Sequence, residues 1–360
     1  MKILFVEPYF GGSHREFAQG LVSHSSHDID LLTLPDRNWT WRIHGSALYF
    51  GNILRSSGGY DGIITSSMMR LSDLKSFVGP SLPPVLVYFH ESQLTYPTAS
   101  GEKKDMGMAM GDISTALMAD RVLFNSQYHR QAFITAIVEI MVKAPDCPLS
   151  FIEDEILKKS AVVYPGLCFS PNMGSKKSER DKPLIIWNHR WSYDKNAPSF
   201  FYALDVMVKR GLEFEVALLG ECPGWVPREF EKAKDRLGNR LIQYGYLENR
   251  DDYCTWLNNG SIALSTAKQE NFGMSMVEAM KHGCIPLLPH RLSYPEILPK
   301  AFHQEFLYTC QKDFLEKLER LLMGWRDYGQ IRYELSQAMD RFSWPEMIDR
   351  YDKEIERVFK

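Results

Sequence analysis

Two glutamates eight positions apart, Glu270 and Glu278, bracket the stretch ENFGMSMVEAM, in which Asn271 and a Phe272-Gly273 loop lead into a helix through Met274. Amides exposed at a helix start bind phosphate oxygens, and a carboxylate beside them needs donor groups such as ribose hydroxyls. Ser275 and Met276 open the helix, Glu278 falls in its first turn or so, and Glu270 stands outside it, where it would face a sugar ring. The plain alternative is that Glu278 complements the helix dipole and Glu270 is a solvated loop residue. Upstream, HRWSYDKN sets Arg190 and Lys195 five apart after an apolar run. An arginine fork and a lysine point charge aimed at one spot would neutralise a pyrophosphate leaving group; solvated surface charge is the other reading.

The first half has its own candidates. EPYFGGSHREF offers a side-chain-free turn at Gly11 and Gly12, with Ser13 available to cap the next helix. Such a turn lets backbone approach a phosphate or sugar closely, although Gly-Gly before a helix also occurs simply as a turn. His90 and Glu91 follow the run PVLVYF, and a histidine there would polarise a sugar hydroxyl or position an acceptor. A hydrogen-bonded histidine near a core edge is the alternative, and His14 and His44 share that ambiguity. The Asp-x-Asp spelling at Asp28 and Asp30 opens a strand at its amino end, so these residues read as strand-entry charges rather than metal ligands. No metal or cofactor is therefore expected, and leaving-group charge falls to Arg190, Lys195 and amides.

Alternating elements must carry these residues. Short apolar runs (KILFV, DIDLLTL, DGIITSS, PVLVYFH, RVLFNS, SAVVYP) alternate with helical stretches at 13–23, 45–56, 105–119 and 127–142. A segment rich in Gly, Pro, Ser and charge at 166–183 reads as a linker, after which PLIIWNH, FEVALLG, RLIQYGY, SIALST, CIPLLP and EFLYTC restart the alternation. Helices are expected at 311–324 and 328–359, the latter broken near Pro345. The fold class is α/β: parallel sheets covered on both faces, in two facing Rossmann-like domains over 1–165 and 184–340 with a cleft between them, and a final segment, 341–360, returning to the first.

Composition narrows the classes. With 360 residues, 44% hydrophobic and 24% charged, the chain is too apolar for disorder and long enough for two domains. A net charge of −3 argues against a generally basic nucleic-acid binder, so any such contact uses a local patch. The six cysteines are scattered, without C-x-x-C, which suits a reducing compartment. No signal peptide or membrane span is expected, and the reading is cytoplasmic.

ENFGMSMVEAM, HRWSYDKN, ALLGECPG and IQYGYLENRDDY together resemble the second domain of retaining, nucleotide-sugar-dependent glycosyltransferases of the two-domain GT-B class. GGSHREF, LPDRNWTWRIHGSALYF and YFHESQLTYP closely resemble the tRNA-queuosine mannosyltransferase family, and the likeness runs along most of the chain. The resemblance implies transfer of mannose, with retention, from GDP-mannose to the cyclopentenediol of queuosine in a tRNA anticodon. It implies Arg190 and Lys195 on the diphosphate, Glu278 on ribose, Glu270 on the mannose, and amides of Phe272, Gly273, Ser275 and Met276 on sugar and phosphate. Tyr246 and Leu247 would face guanine. Ser13, His14, Trp39, Trp41, Arg42, His44, His90, Glu91, Gln93 and Tyr96 would serve the acceptor, the tryptophans stacking on an extruded base unless they are core aromatics. A related transferase with a glycan or lipid acceptor, a sugar-nucleotide epimerase and a non-catalytic tRNA-binding protein are the other readings.

Overall fold

The computed structural model describes residues 1–97, 104–142, 146, 149–169, 180–222 and 224–360. The expected linker, 166–183, lies mostly outside the described residues. Two compact units emerge: Met1–Cys168 with Phe342–Lys360, and Phe169–Arg341.

In the first unit, alternation of side chains along each strand divides the core into two layers. Strands β1 (Lys2–Phe10), β2 (Asp28–Pro35), β3 (Gly62–Ser66), β4 (Val85–Phe89), β5 (Arg121–Phe124) and β6 (Ser160–Val162) form one parallel sheet in the order β2-β1-β3-β4-β5-β6. Leu4, Val6, Ile63, Val85, Val87, Phe89, Val122 and Phe124 pack in one layer with Phe50 and Leu74. Ile3, Phe5, Ile64, Leu86, Tyr88 and Leu123 fill the other, where the final helix (Trp344–Phe359) lays Trp344, Met347, Tyr351 and Ile355 at three- and four-residue spacing. Its Tyr351 hydroxyl donates to the Tyr164 carbonyl at 2.8 Å, which fastens the last segment of the chain to this unit. Pro345 occupies the first turn of that helix, where its missing N–H costs nothing; the break expected at Pro345 falls just before it, at the 3-10 turn Met339–Phe342.

The second unit uses β7 (Leu184–Trp187), β8 (Glu215–Leu218), β9 (Leu241–Tyr244), β10 (Ile262–Leu264), β11 (Ile285–Pro289) and β12 (Leu307–Tyr308), again all parallel. The order β12-β11-β10-β7-β8-β9 reverses direction between β7 and β10. Connections diverge at such a switch point, leaving a crevice beyond the strands' carboxyl ends. In the first sheet the corresponding reversal lies between β1 and β3. Among the described residues, no helix is long and apolar enough to cross a membrane.

Candidate active site

At the switch point of the second sheet, the segments after β7 and β10 are tied together before any ligand is considered. Thr266 Oγ1 donates to the carbonyls of Lys195 and Asn196 at 3.0 Å each, and the Lys268 amide donates to the Asp194 carbonyl at 2.7 Å. That brings Lys195, in the 3-10 turn Tyr193–Lys195, to the loop carrying Glu270. The Lys195 ammonium donates to Gln269 O at 3.0 Å and Glu270 Oε2 at 3.1 Å, and lies 3.1 Å from Asp194 Oδ2. Burial opposes ionisation of all three groups. Mutual attraction prevails: the acids are held below their usual carboxylate range, Lys195 is held above its ordinary value, and the cluster carries charge at neutral pH. Arg190 is exposed beside them, its charge acting on both Asp194 and Lys195. His189 is buried between these residues and Ser275, 3.4 Å from the Ser275 hydroxyl; burial, then Lys195, lower it to about 4, so it is a neutral imidazole.

The helix after β10 starts at Met274 because Gly273 makes the turn into it. Its φ of +97° lies in the left-handed region, and an added Cβ would sit 3.2 Å from Ile297 and 3.4 Å from Tyr294. Phe272 is buried in the core and Asn271 accepts from Gln269, which fixes the loop from inside. One expected ligand amide is already engaged: Met276 N–H donates to Gly273 O at 3.0 Å. Glu278 lies in the second turn of the Met274–Lys281 helix rather than the first, buried, ion-paired with Arg250 and hydrogen-bonded by Tyr253 at 3.1 Å. Asn188, directly after β7, donates to the Tyr253 hydroxyl at 2.9 Å and to Ser275 O at 2.8 Å. Tyr246 and Leu247 follow the edge strand β9, with Tyr246 59% exposed.

In the first unit, β1 runs through Glu7 to Phe10, so Glu7 is a buried strand residue. Its Oε1 accepts from the Ser66 hydroxyl (3.0 Å) and the Tyr9 amide (2.9 Å) and lies 3.2 Å from His14 Nδ1. Gly11 ends the strand where an added Cβ would collide with Asp36 at 2.1 Å. Gly11 is itself the N-cap of the Gly12–His24 helix, so the cap expected from Ser13 is not made; Ser13 and Gly12 are exposed. His14 and His90 have ring centroids 4.2 Å apart, and burial, followed by the neighbouring His14 and His129, holds His90 well below the usual imidazole range. The loop after His90 hangs on Asp112, whose Oδ2 accepts from the Ser92 hydroxyl at 2.8 Å and the Leu94 amide at 3.1 Å. Glu91, Gln93 and Tyr96 on this loop are half-buried.

The helix expected from residue 45 begins at Trp39 instead, after Asn38 in a left-handed turn. It carries Trp39 (45% exposed), Trp41 (69%) and His44 into solvent, which removes the core-aromatic reading. Arg42 is half-buried, its Nε donating to Pro35 O at 3.3 Å.

Comparison with known proteins decides the family. A sequence profile for the tRNA-queuosine alpha-mannosyltransferase N-terminal domain matches residues 2–167, and one for group 1 glycosyl transferases matches 171–337. The tRNA-queuosine alpha-mannosyltransferase of Drosophila melanogaster is 33% identical over 363 residues, covering 97% of this chain and 95% of that protein. The chain belongs to the tRNA-queuosine alpha-mannosyltransferase family. It is a glycosyltransferase of GT-B fold: sucrose-phosphate synthase from Thermosynechococcus elongatus matches it with a TM-score of 0.74 at 14% identity over 99% of both chains. A human GDP-Man:Man(3)GlcNAc(2)-PP-Dol alpha-1,2-mannosyltransferase is 26% identical over 164 residues, 43% of this chain and 33% of that protein.

Within this mannosyltransferase-family chain, Lys195, Glu270 and the start of the Met274–Lys281 helix form one cluster, with Glu278 held on the same helix. Several participants escaped sequence reading. Asp194 and His189 each adjoin a residue already singled out, Lys195 and Arg190, and that adjacency was the available signal. Asn188, Arg250, Tyr253, Glu7 and Asp112 carry no local signal, because their partners are distant in sequence.

Proposed function

We propose that the chain transfers mannose, with retention, from GDP-mannose to the cyclopentenediol of queuosine in a tRNA anticodon. The observation that carries this reading is the likeness to the Drosophila enzyme along both units. The GDP-mannose named for the human relative supports the donor. Lys195 and Arg190 take the diphosphate charge without a metal ion at that position, Glu278 the ribose and Glu270 the mannose hydroxyls. The amides of Phe272, Gly273 and Ser275 complete the sugar and phosphate contacts, Gly11 and Gly12 approach the donor, and Tyr246 and Leu247 face the guanine. The acceptor hydroxyl attacks the anomeric carbon on the face from which phosphate departs, through an oxocarbenium-like state, and the departing phosphate oxygen takes its proton. No enzyme nucleophile is needed, in keeping with a Glu270 carboxylate already neutralised by Lys195. His90, with Ser13, His14, Glu91, Gln93 and Tyr96, orients the acceptor, and Trp39 and Trp41 stack on bases beside Arg42 and His44. The six cysteines, scattered along the sequence without a C-x-x-C pair, support a cytoplasmic location.

Purified protein with GDP-mannose and queuosine-containing tRNA should yield a hexosylated queuosine nucleoside on digestion and mass spectrometry. No product with both substrates verified overturns the acceptor. Product only with another nucleotide sugar overturns the donor, and interconversion of free sugar nucleotides without acceptor points to an epimerase.

A further inference from the structure

Glu7, His14 and His90 come from three different segments of the first unit: β1, the first turn of the following helix, and the residue after β4. One ligand atom from each lies within 4.8 Å of the others. Two imidazoles and one carboxylate are a donor set suited to a borderline divalent transition ion, and ill suited to magnesium or calcium, which take oxygen ligands. We propose that Glu7, His14 and His90 form a zinc-class divalent metal site.

Two observations beyond proximity support it. Glu7 is fully buried, and while its Oε1 collects the Ser66 hydroxyl and the Tyr9 amide, its Oε2 has no hydrogen-bond partner among the described residues. A buried carboxylate oxygen left bare is costly unless a cation or donor meets it. The ligands are also held by scaffold. The Ser66 hydroxyl, on the strand between β1 and β4, fixes the Glu7 carboxylate from behind, and the Asn125 amide donates to the His90 carbonyl at 2.8 Å. Such outer contacts orient metal ligands. Bonds of roughly 2.0–2.1 Å to a tetrahedral ion set ligand atoms about 3.3 Å apart. The Glu7 carboxylate already stands 3.2 Å from His14 Nδ1 through Oε1, and one ligand atom of each of the three residues lies within 4.8 Å of the others. Three protein ligands leave a zinc ion a fourth position for water or a hydroxyl oxygen.

The test reads metal binding on the protein alone, without donor or acceptor, so its outcome is independent of the proposed reaction. Chelator-treated full-length protein is titrated with Zn²⁺ against a chromophoric competitor, and with Co²⁺ while its visible absorption is recorded. One equivalent should bind, with a Co²⁺ spectrum of nitrogen and oxygen ligation. Glu7→Gln, His14→Gln and His90→Gln should each weaken binding by at least the roughly 10–100-fold seen when an outer-shell partner is lost. Circular dichroism checks each variant's fold, and if one fails the other two decide. Absence of a stoichiometric ion in the wild type overturns the site. So does equal binding by wild type and folded variants, which would put the ion elsewhere, for instance on the exposed thiols of Cys168 or Cys310.

Discussion

In the second unit, the carboxylates of buried Asp194 and half-buried Glu270 share the Lys195 ammonium and are held below their usual range despite desolvation. In the first unit, buried Asp112 accepts hydrogen bonds from Ser92 and Leu94, and burial raises it to about 6. Two similar sheets thus treat buried acid oppositely. A fixed cation beside the second sheet's switch point keeps both carboxylates ionised, so charge is built into that part of the second unit. Neutral donors around Asp112 shape a loop without providing charge. The helix that begins at Trp39 in the first unit exposes two large aromatic groups, Trp39 and Trp41.

Removing the cation is the most severe way to break this contrast. Lys195→Ala leaves buried Asp194 beside half-buried Glu270 without compensation, which should cost about 3 kcal/mol of stability and lower transfer by roughly a thousandfold. Denaturant unfolding and kcat/KM measure the two effects. An unchanged unfolding midpoint with lost activity would leave Lys195 as a ligand contact only, and no change in either would dissolve the comparison.

Asp112 tests the other side. Its folded pKa of about 6 exceeds the ordinary 3.8, so the fold favours the protonated carboxyl. Its contribution is full below about pH 4 and is lost as pH rises through about 6, an upper bound of roughly 3 kcal/mol. Asp112→Asn keeps an oxygen to accept from Ser92 and Leu94 yet cannot ionise. Its unfolding free energy should lack this decline between pH 4 and 6, which denaturant titrations at several pH values would reveal. An identical pH slope in the variant would show that Asp112 ionises without penalty.

Much of this architecture was readable because each strand is a short apolar run edged by Gly, Pro or Asn, and such runs locate strands without knowledge of their neighbours. Strand order was not readable, since it depends on pairings such as Ile262 with Ile185 that no local pattern encodes. The start of the Trp39–Leu54 helix was hidden because Asn38 enters it from a left-handed conformation with no side-chain cap, and Gly45 interrupts its apolar periodicity. Within the site, Lys195 and Glu270 were legible singly by type and position after a strand. Their ion pair, across 75 residues, was not. Glu7 was hidden more completely: it looked like a residue beyond a strand that in fact continues through it.

The exposed tryptophans sharpen the contrast at lower energy. Trp41→Ala should change stability by less than about 0.5 kcal/mol, because the ring is 69% exposed. Loss of a stacked base should cost about 1–3 kcal/mol, raising KM for tRNA roughly tenfold with KM for GDP-mannose unchanged. A rise in donor KM alone would remove Trp41 from the acceptor surface.

The smallest effect isolates how Glu278 is held. Tyr253 donates to Glu278 at 3.1 Å and accepts from Asn188 at 2.9 Å, while Arg250 pairs with the other carboxylate oxygen. Tyr253→Phe removes one orienting bond and leaves the Asn188 amide one acceptor short, but keeps the ion pair and the ring's volume. A neutral hydrogen bond contributes about 1 kcal/mol and one to a charged group somewhat more, so KM for GDP-mannose should rise roughly five- to tenfold. Because Tyr253 acts through Glu278, the effect should vanish in a Glu278→Ala background, which leaves no side-chain acceptor, and there a double-mutant cycle gives a coupling energy equal to the single-variant loss. Additive losses would mean that Tyr253 and Glu278 serve the donor separately, and the charge built into the second unit would then reach the ribose without this relay.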